Sequence, residues 1–411
     1  MKSTDDVLRQ IRETAPWKPH GRALRVCGAA VAVGALAFLY GISREDATRA
    51  WQVFLVNYLF WTGLAFGGVL FSAVLVMTNA RWGRPVKRLA EGLGAFLPVS
   101  FVLFWALYLG RDEVFPWIQK PVHHKEAWLN VPFLFARDGA AIFILMVLAL
   151  CLIYHSIRRD QKALSPETVA EPAVPDTHEK AQGVLSPLYA LIYALVLTLL
   201  AVDLIMSLDP HWVSTLFGAY FFVGSFYTAL AAVIVLSALG TMKLGLDPYI
   251  RASQFHDLGN LLLGFCILTG DFFYAQFVVI WYGNLPEETR FIIQRVRQVP
   301  WDTLSWTVLL LGFVVPFVVL LMRKVKMNPG FMMVLSGLIL VGMWLERFLL
   351  VAPSLTKGHG MPLGLMEILI SAGFLGIMGL CLMVFFRSFP ALPVADPLFR
   401  ESLKAAHGSG H

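Results

Sequence analysis

Ten apolar stretches, each about 20 residues or longer, run through this chain at about 23–42, 52–78, 89–110, 132–156, 186–208, 212–239, 258–283, 304–322, 329–350 and 363–386. At ~1.5 Å per residue a helix of that length crosses the ~30 Å hydrocarbon core of a bilayer. Inside hydrocarbon every backbone N–H and C=O must find its partner within the segment, which leaves each run no option but a helix. The sequence therefore predicts an all-α polytopic membrane protein. Composition agrees: of 411 residues, 57% are hydrophobic and 15% charged, and mean hydropathy is +0.67.

Lysine and arginine placement orients the ten spans. With the N-terminus inside, 22 of the 33 Lys/Arg fall on the cytoplasmic side and 9 outside, while Arg137 and Arg347 lie within spans. Arg81, Arg84, Lys87 and Arg88 after the second span, and Arg323, Lys324 and Lys326 after the eighth, read as short basic inner connections. The predicted layout is a cytoplasmic segment 1–22, spans 1–4 over 23–156, a Pro- and acid-rich cytoplasmic linker 157–185, spans 5–10 over 186–387, and a cytoplasmic tail 388–411. The N-terminus is too long and too charged before its first apolar run for a cleaved signal peptide. The outer segments 111–131 and 284–303 carry Trp117, Trp128 and Trp301, which suits interfacial helices or docking surfaces.

A weak repeat divides the chain. Span 2 opens NYLFWTGLAFGGVLFSAVL and span 6 contains AYFFVGSFYTALAAVIVL. Span 3 begins RLAEGLGAFLPVSF and span 7 QFHDLGNLLLGFCI, so Glu91 matches Asp257. Matched spans four apart run in the same direction, which predicts two parallel four-helix bundles, spans 2–5 and 6–9, with flanking helices.

An ionisable residue at mid-membrane costs at least ~2.5–3.5 kcal/mol and normally faces partners or water, so each is a candidate for function. Near the outer face stand Arg137 and Asp138 on span 4, Asp203 on span 5, Asp209 and His211 in the following turn, Glu346 and Arg347 on span 9, and Glu367 on span 10. Near the inner face stand Glu91, His155 at the end of span 4, and His256 with Asp257 opening span 7. Asp271 lies midway along span 7, with Tyr274 one turn on. Acids at inner, middle and outer depth suggest stations for a proton. Since adjacent residues do not face each other on a helix, Arg347 is expected to pair across helices with Asp138 or Asp203. The competing reading makes every acid a plain helix-to-helix tie.

Absences narrow the chemistry. The ten histidines fall in loops, tails or span ends, which offers no bis-histidine haem site, and the four cysteines sit singly in four different apolar runs, without CxxC or CxxCH spacing. No GxxxxGK[ST] loop is present. A nucleic-acid partner is excluded as a reading of the +6 net charge, which positive inner loops explain.

Several stretches go beyond composition. DLIMSLDPHWVSTLFGAYFF (203–222), HDLGN (256–260), QFVVIWYGNLPEET (276–289) and WLERFLLVAPS (344–354) resemble the NrfD-like (polysulfide reductase type) membrane subunits of alternative complex III. WGRPVKRLAEGLGAF (82–96) and FLPVSFVLFWALYLGRDEVFPW (96–117) are most similar to the second, ActF-type paralogue. The resemblance implies ten spans with two four-helix bundles in a bacterial inner membrane. It implies no redox cofactor in this chain, with quinone/quinol, Fe–S clusters and c-type haems in partner subunits. Those partners are a related quinol-binding NrfD-like subunit, an extracytoplasmic iron–sulfur protein, and multihaem and monohaem cytochrome c subunits, with lipids around them. Asp203, Asp209, His211, His256, Asp257, Glu346 and Arg347 match its motif positions, whereas TGDFFYAQ (269–276) departs from its pattern, so Asp271 inherits no role.

The sequence thus predicts a membrane subunit of a quinol:electron-acceptor oxidoreductase complex that contributes a proton pathway and scaffold. Two alternatives stand beside it: the quinol pocket itself, built on Asp138, Asp203 and His211, and a secondary transporter. Against the latter, the mid-span prolines Pro98 and Pro316 fall on non-counterpart spans.

Overall fold

A computed structural model describes residues 21–44, 47–164, 177–356, 363–394 and 396–401, with no strand among them. Most of the predicted N-terminal segment, the centre of the 157–185 linker and the end of the tail lie outside the described residues. Among the described residues, ten helices are long and apolar enough to cross a membrane. They are span 1 (Gly21–Ile42), span 2 (Ala47–Met77), span 3 (Arg84–Leu107), span 4 (Val131–Asp160), span 5 (Thr177–Leu208), span 6 (Phe217–Lys243), span 7 (Ala252–Gly283), span 8 (Trp301–Leu320), span 9 (Pro329–Leu355) and span 10 (Leu365–Ser388).

Spans 2–5 close a ring, 2 on 3, 3 on 4, 4 on 5 and 5 on 2, and spans 6–9 close a second ring in the same order. The rings meet where span 2 crosses span 6, and that crossing is flanked by contacts of 5 with 6 and of 9 with 2. A two-fold exchange of the bundles maps this set of contacts onto itself, as the repeat requires. The crossing is close because its residues are small. A Cβ on Gly63 would lie 2.7 Å from Ser225 Oγ, and one on Gly67 2.7 Å from Ala229 Cβ, a small-xxx-small seam on both helices. Spans 1 and 10 pair with each other through Gly34 and Gly373, backbone against backbone, and pack together on span 2. Asn57 of span 2 ties the flank down: it donates to Ser371 Oγ on span 10 at 3.0 Å and accepts from Trp344 Nε1 on span 9 at 3.1 Å.

Prolines break backbone hydrogen bonds, and the fold supplies replacements. Pro316 follows a π-helical turn, Leu310–Val314, and the Gly312 carbonyl four residues before it accepts from Tyr227 Oη at 3.1 Å. Pro353 frees the Leu349 carbonyl, which accepts from Arg295 Nε at 3.0 Å. Arg295 also donates to the Leu350 carbonyl and to Ser354 Oγ, which clamps the amphipathic helix Pro286–Arg297 onto the end of span 9.

Three predictions change. Arg84, Lys87 and Arg88 do not lie in a loop, because span 3 begins at Arg84 and all ten residues of its first helix are buried. Spans 4 and 5 extend into the predicted linker, with helix through Leu164 and again from Thr177. Trp117 and Trp301 are buried in the fold and unavailable for docking. The segment after span 10 also folds back: Leu392, Val394 and Phe399 are buried, and Asp396 pairs with Arg84 at 2.8 Å. Burial alone would raise the Asp396 carboxyl, but Lys87, Arg84 and Arg159 outweigh it and hold the group below its usual value.

Candidate functional site

The first bundle buries charge at both ends. At the end holding the basic start of span 3, Arg88 bridges two acids: Glu91 Oε2 at 2.5 Å and the Asp160 carboxylate of span 4. Lys87 Nζ lies 3.6 Å from Glu91 Oε1 and donates to Gln182 Oε1 at 2.9 Å. Glu91 accepts from Ser72 Oγ at 2.8 Å and Ser156 Oγ at 3.1 Å. Three helices, spans 2, 3 and 4, thus place donors on one carboxylate, and all of these side chains are buried. The spacing of Lys87 and Arg88 before Glu91, four and three residues, is the signal from which this pairing could have been found once the segment is known to be helical; the contributions of Asp160, Ser72 and Gln182 come from other helices.

At the opposite end, Arg137 donates from Nε (2.9 Å) and Nη2 (2.5 Å) to Asp203 Oδ2, while Trp128 Nε1 donates to Asp203 Oδ1 at 2.8 Å. The Arg137 guanidinium lies 3.8 Å over the Trp128 ring. Asp138, next to Asp203 and wholly buried, differs. Neither of its carboxylate oxygens has a hydrogen-bond partner among the described residues, its one ion pair being a long contact of 3.8 Å from Arg137 Nε to Oδ1, and the buried hydroxyl of the nearby Tyr58 has no hydrogen-bond partner either. Thr62 and Ser100 exchange a 2.7 Å hydrogen bond in the same interior. Ser100 is nine residues, about 14 Å, along span 3 from Glu91. Tyr189, which donates to the Phe66 carbonyl at 2.8 Å, and the unpartnered Ser186 hydroxyl stand on span 5 in the same bundle.

Among the described residues, the second bundle holds one interior ion pair. Arg347 donates to Glu346 at 2.8 and 3.1 Å, to Ser225 Oγ at 3.2 Å and to the Phe221 carbonyl at 3.4 Å. This corrects the expected pairing of Arg347 with Asp138 or Asp203. Arg137 already occupies Asp203, and in a buried site the long arginine side chain folds back to its own neighbour. Tyr220 stands beside Glu346.

The remaining predicted residues lie apart. Glu367 caps span 10 through the Gly364 N–H (2.7 Å) and takes a two-pronged bond from Arg49 (2.6 and 2.8 Å), a helix tie. His155 shares a 2.9 Å Nδ1–Nδ1 hydrogen bond with His178, a partner the sequence gave no reason to choose. His256 and Asp257 are partly exposed, 3.6 Å apart. His211 is exposed in the turn after span 5, and Asp209 there lends its charge to Arg295. Asp271 and Tyr274 point away from both bundles, so the structure does not join them to the other acids. Among the described residues no three His, Cys, Asp or Glu side chains converge as a metal site.

The family model described as polysulphide reductase, NrfD, matches residues 43–357. The chain belongs to the NrfD family. The matched stretch begins just before span 2 and ends just after span 9, so it contains both four-helix bundles and leaves out the span 1–span 10 flank. NrfD proteins are membrane subunits of quinol-linked oxidoreductase complexes and typically partner iron–sulfur electron-transfer proteins. No curated protein matches the chain.

Proposed function

We propose that this NrfD protein is the second, cofactor-free subunit of its type in an alternative complex III. In this reading it carries protons along the interior of its first bundle and provides scaffold for a quinol-binding paralogue, an extracytoplasmic iron–sulfur protein and cytochromes c. Both termini lie in the cytoplasm of a bacterial cell, which puts Glu91 at the inner end of the route and Asp138 with Asp203 at the outer end. The observation that carries the reading is the state of Asp138: a fully buried carboxyl with no hydrogen bond to either oxygen and only a 3.8 Å ion pair with Arg137, beside a tyrosine hydroxyl that also lacks a hydrogen bond. Buried polar groups find hydrogen bonds to protein or ordered water, and water here would make Asp138 and Tyr58 the mouth of a chain.

Along the bundle the hydroxyls of Thr62 and Ser100, bonded to each other at 2.7 Å, and of Ser72, bonded to Glu91 at 2.8 Å, both donate and accept, and with water between these pairs a proton could be passed on. Arg137 and Trp128 fix Asp203 with three hydrogen bonds, whereas Asp138 has none, and in this reading Asp138 is the group that exchanges a proton. At the other end Lys87, Arg88 and the two serines hold Glu91 in a fixed orientation. Quinol oxidation in a partner releases two protons per two electrons, which in this reading Asp138 and Asp203 receive.

The test is a structure of the native complex at a resolution that shows waters. Waters linking Asp138 and Tyr58 to Ser72 and Glu91, with no quinone in this chain, support the route. A dry interior would reduce the chain to scaffold, and a quinone ring beside Asp138 and Asp203 would make it the quinol-binding subunit.

A further inference from the structure

Asp271 sits on the outside of the molecule at the depth where an acid is least tolerable. Trp281 and Tyr282 are exposed near the end of span 7, where aromatic side chains mark the membrane interface. Asp271 is ten residues back along the same helix, about 15 Å deeper, which is half of a ~30 Å hydrocarbon core. Among the described residues no hydrogen bond or ion pair reaches its carboxylate. The chain that surrounds Glu91 and Asp203 of its first bundle with several donors each leaves this one bare.

Its surroundings have the pattern of a helix seam. Gly264, Ile267, Asp271, Tyr274, Val278 and Trp281 follow one another at alternating steps of three and four residues, and all but the half-buried Val278 are exposed. That is the 3.5-residue period by which one helix keeps a single face against another. A Cβ placed on Gly264 would meet nothing within 4 Å, so the seam has room for close approach of a second backbone. Gly270, about a quarter-turn round the helix from Asp271, packs on Phe313 of span 8, while Asp271 itself is exposed.

We propose that this face of span 7 is covered by a transmembrane helix of another subunit, which presents a lysine, arginine, histidine or amide side chain to the Asp271 carboxylate near the bilayer midplane. A single polar position in an apolar seam fixes register and partner choice, so Asp271 selects one helix among the many that a membrane offers. The proposal does not depend on the proton route of the first bundle.

The test uses the full chain in its native host membranes, with the photocrosslinker p-benzoylphenylalanine placed at position 274 and, separately, at 267. The expected result is a cross-link to one foreign transmembrane segment that carries Lys, Arg, His, Asn or Gln within one turn of the joined position. Its yield should fall roughly tenfold in Asp271→Leu and less in Asp271→Asn, which keeps a hydrogen-bonding group. Neither substitution should lower the amount of chain in the membrane, because Asp271 packs against nothing within it. Cross-links to lipid alone, to a second copy of this chain, or to a segment without such a side chain would overturn the proposal. So would a yield unchanged by Asp271→Leu.

Discussion

In the first bundle Lys87, Arg88, Glu91 and Asp160 at one end, and Asp138 and Asp203 at the other, are all closed off from the surface, whereas the second bundle keeps only Glu346 and Arg347 inside and turns Asp257 and Asp271 outward. The two rings share helix order and contact pattern, so the difference lies in where polar side chains point. Burial follows the same division. Spans 2 and 6, at the centre, have 78% of their most apolar window buried, while spans 7 and 8 have 22% and 17%. One bundle encloses its charges, and the other turns Asp257 and Asp271 toward whatever packs against it.

Removing a cation from the first bundle is expected to have the largest effect. Arg88→Leu strands Glu91 and Asp160 without their shared partner and should destabilise the chain by about 3–5 kcal/mol, read as lost thermal stability in detergent. Asp257→Asn, at the matched place in the second bundle, should change it by less than ~0.5 kcal/mol. Equal losses would abolish the distinction between the bundles.

Next comes the seam between them. Gly67→Leu forces a side chain against Ala229 and the Ser225 carbonyl and should cost about 1–3 kcal/mol. Disulfide trapping across spans 2 and 6 would report the two bundles moving apart. Within the second bundle, Tyr227→Phe leaves the Gly312 carbonyl without its replacement donor, a loss of about 1 kcal/mol measurable by the same melting assay. The smallest effect concerns acid pH. Asp396 is held below its ordinary pKa, so its contribution is complete above about pH 4 and is lost only as pH falls through the lowered value. Proteolysis near residue 394 should therefore stay slow at neutral and mildly acid pH and rise only in stronger acid.

The repeated architecture was legible because a membrane helix writes itself as a long apolar run and because lysine and arginine mark its inner end. The burial of Lys87 and Arg88 was not, since the same charges that signal a cytoplasmic loop also serve an ion network when acids on two other helices meet them. The site was legible by residue and not by pairing. Asp203 and Asp138 were singled out for their depth, but which of them Arg137 would hold is decided by how span 4 faces span 5. Asp271 drew attention for the right reason, its depth, while its direction depends on which face of span 7 packs against span 8. Sequence period shows an apolar helix on every side equally.

The most direct test of the proton route compares two acids in the assembled complex reconstituted into vesicles, with protons moved per electron as the readout. Asp138→Asn is expected to slow proton movement by about a hundredfold while the complex stays assembled, and Asp257→Asn to leave it at the wild-type value. Proton movement unchanged in Asp138→Asn, or lost equally in both, would contradict a route through the first bundle.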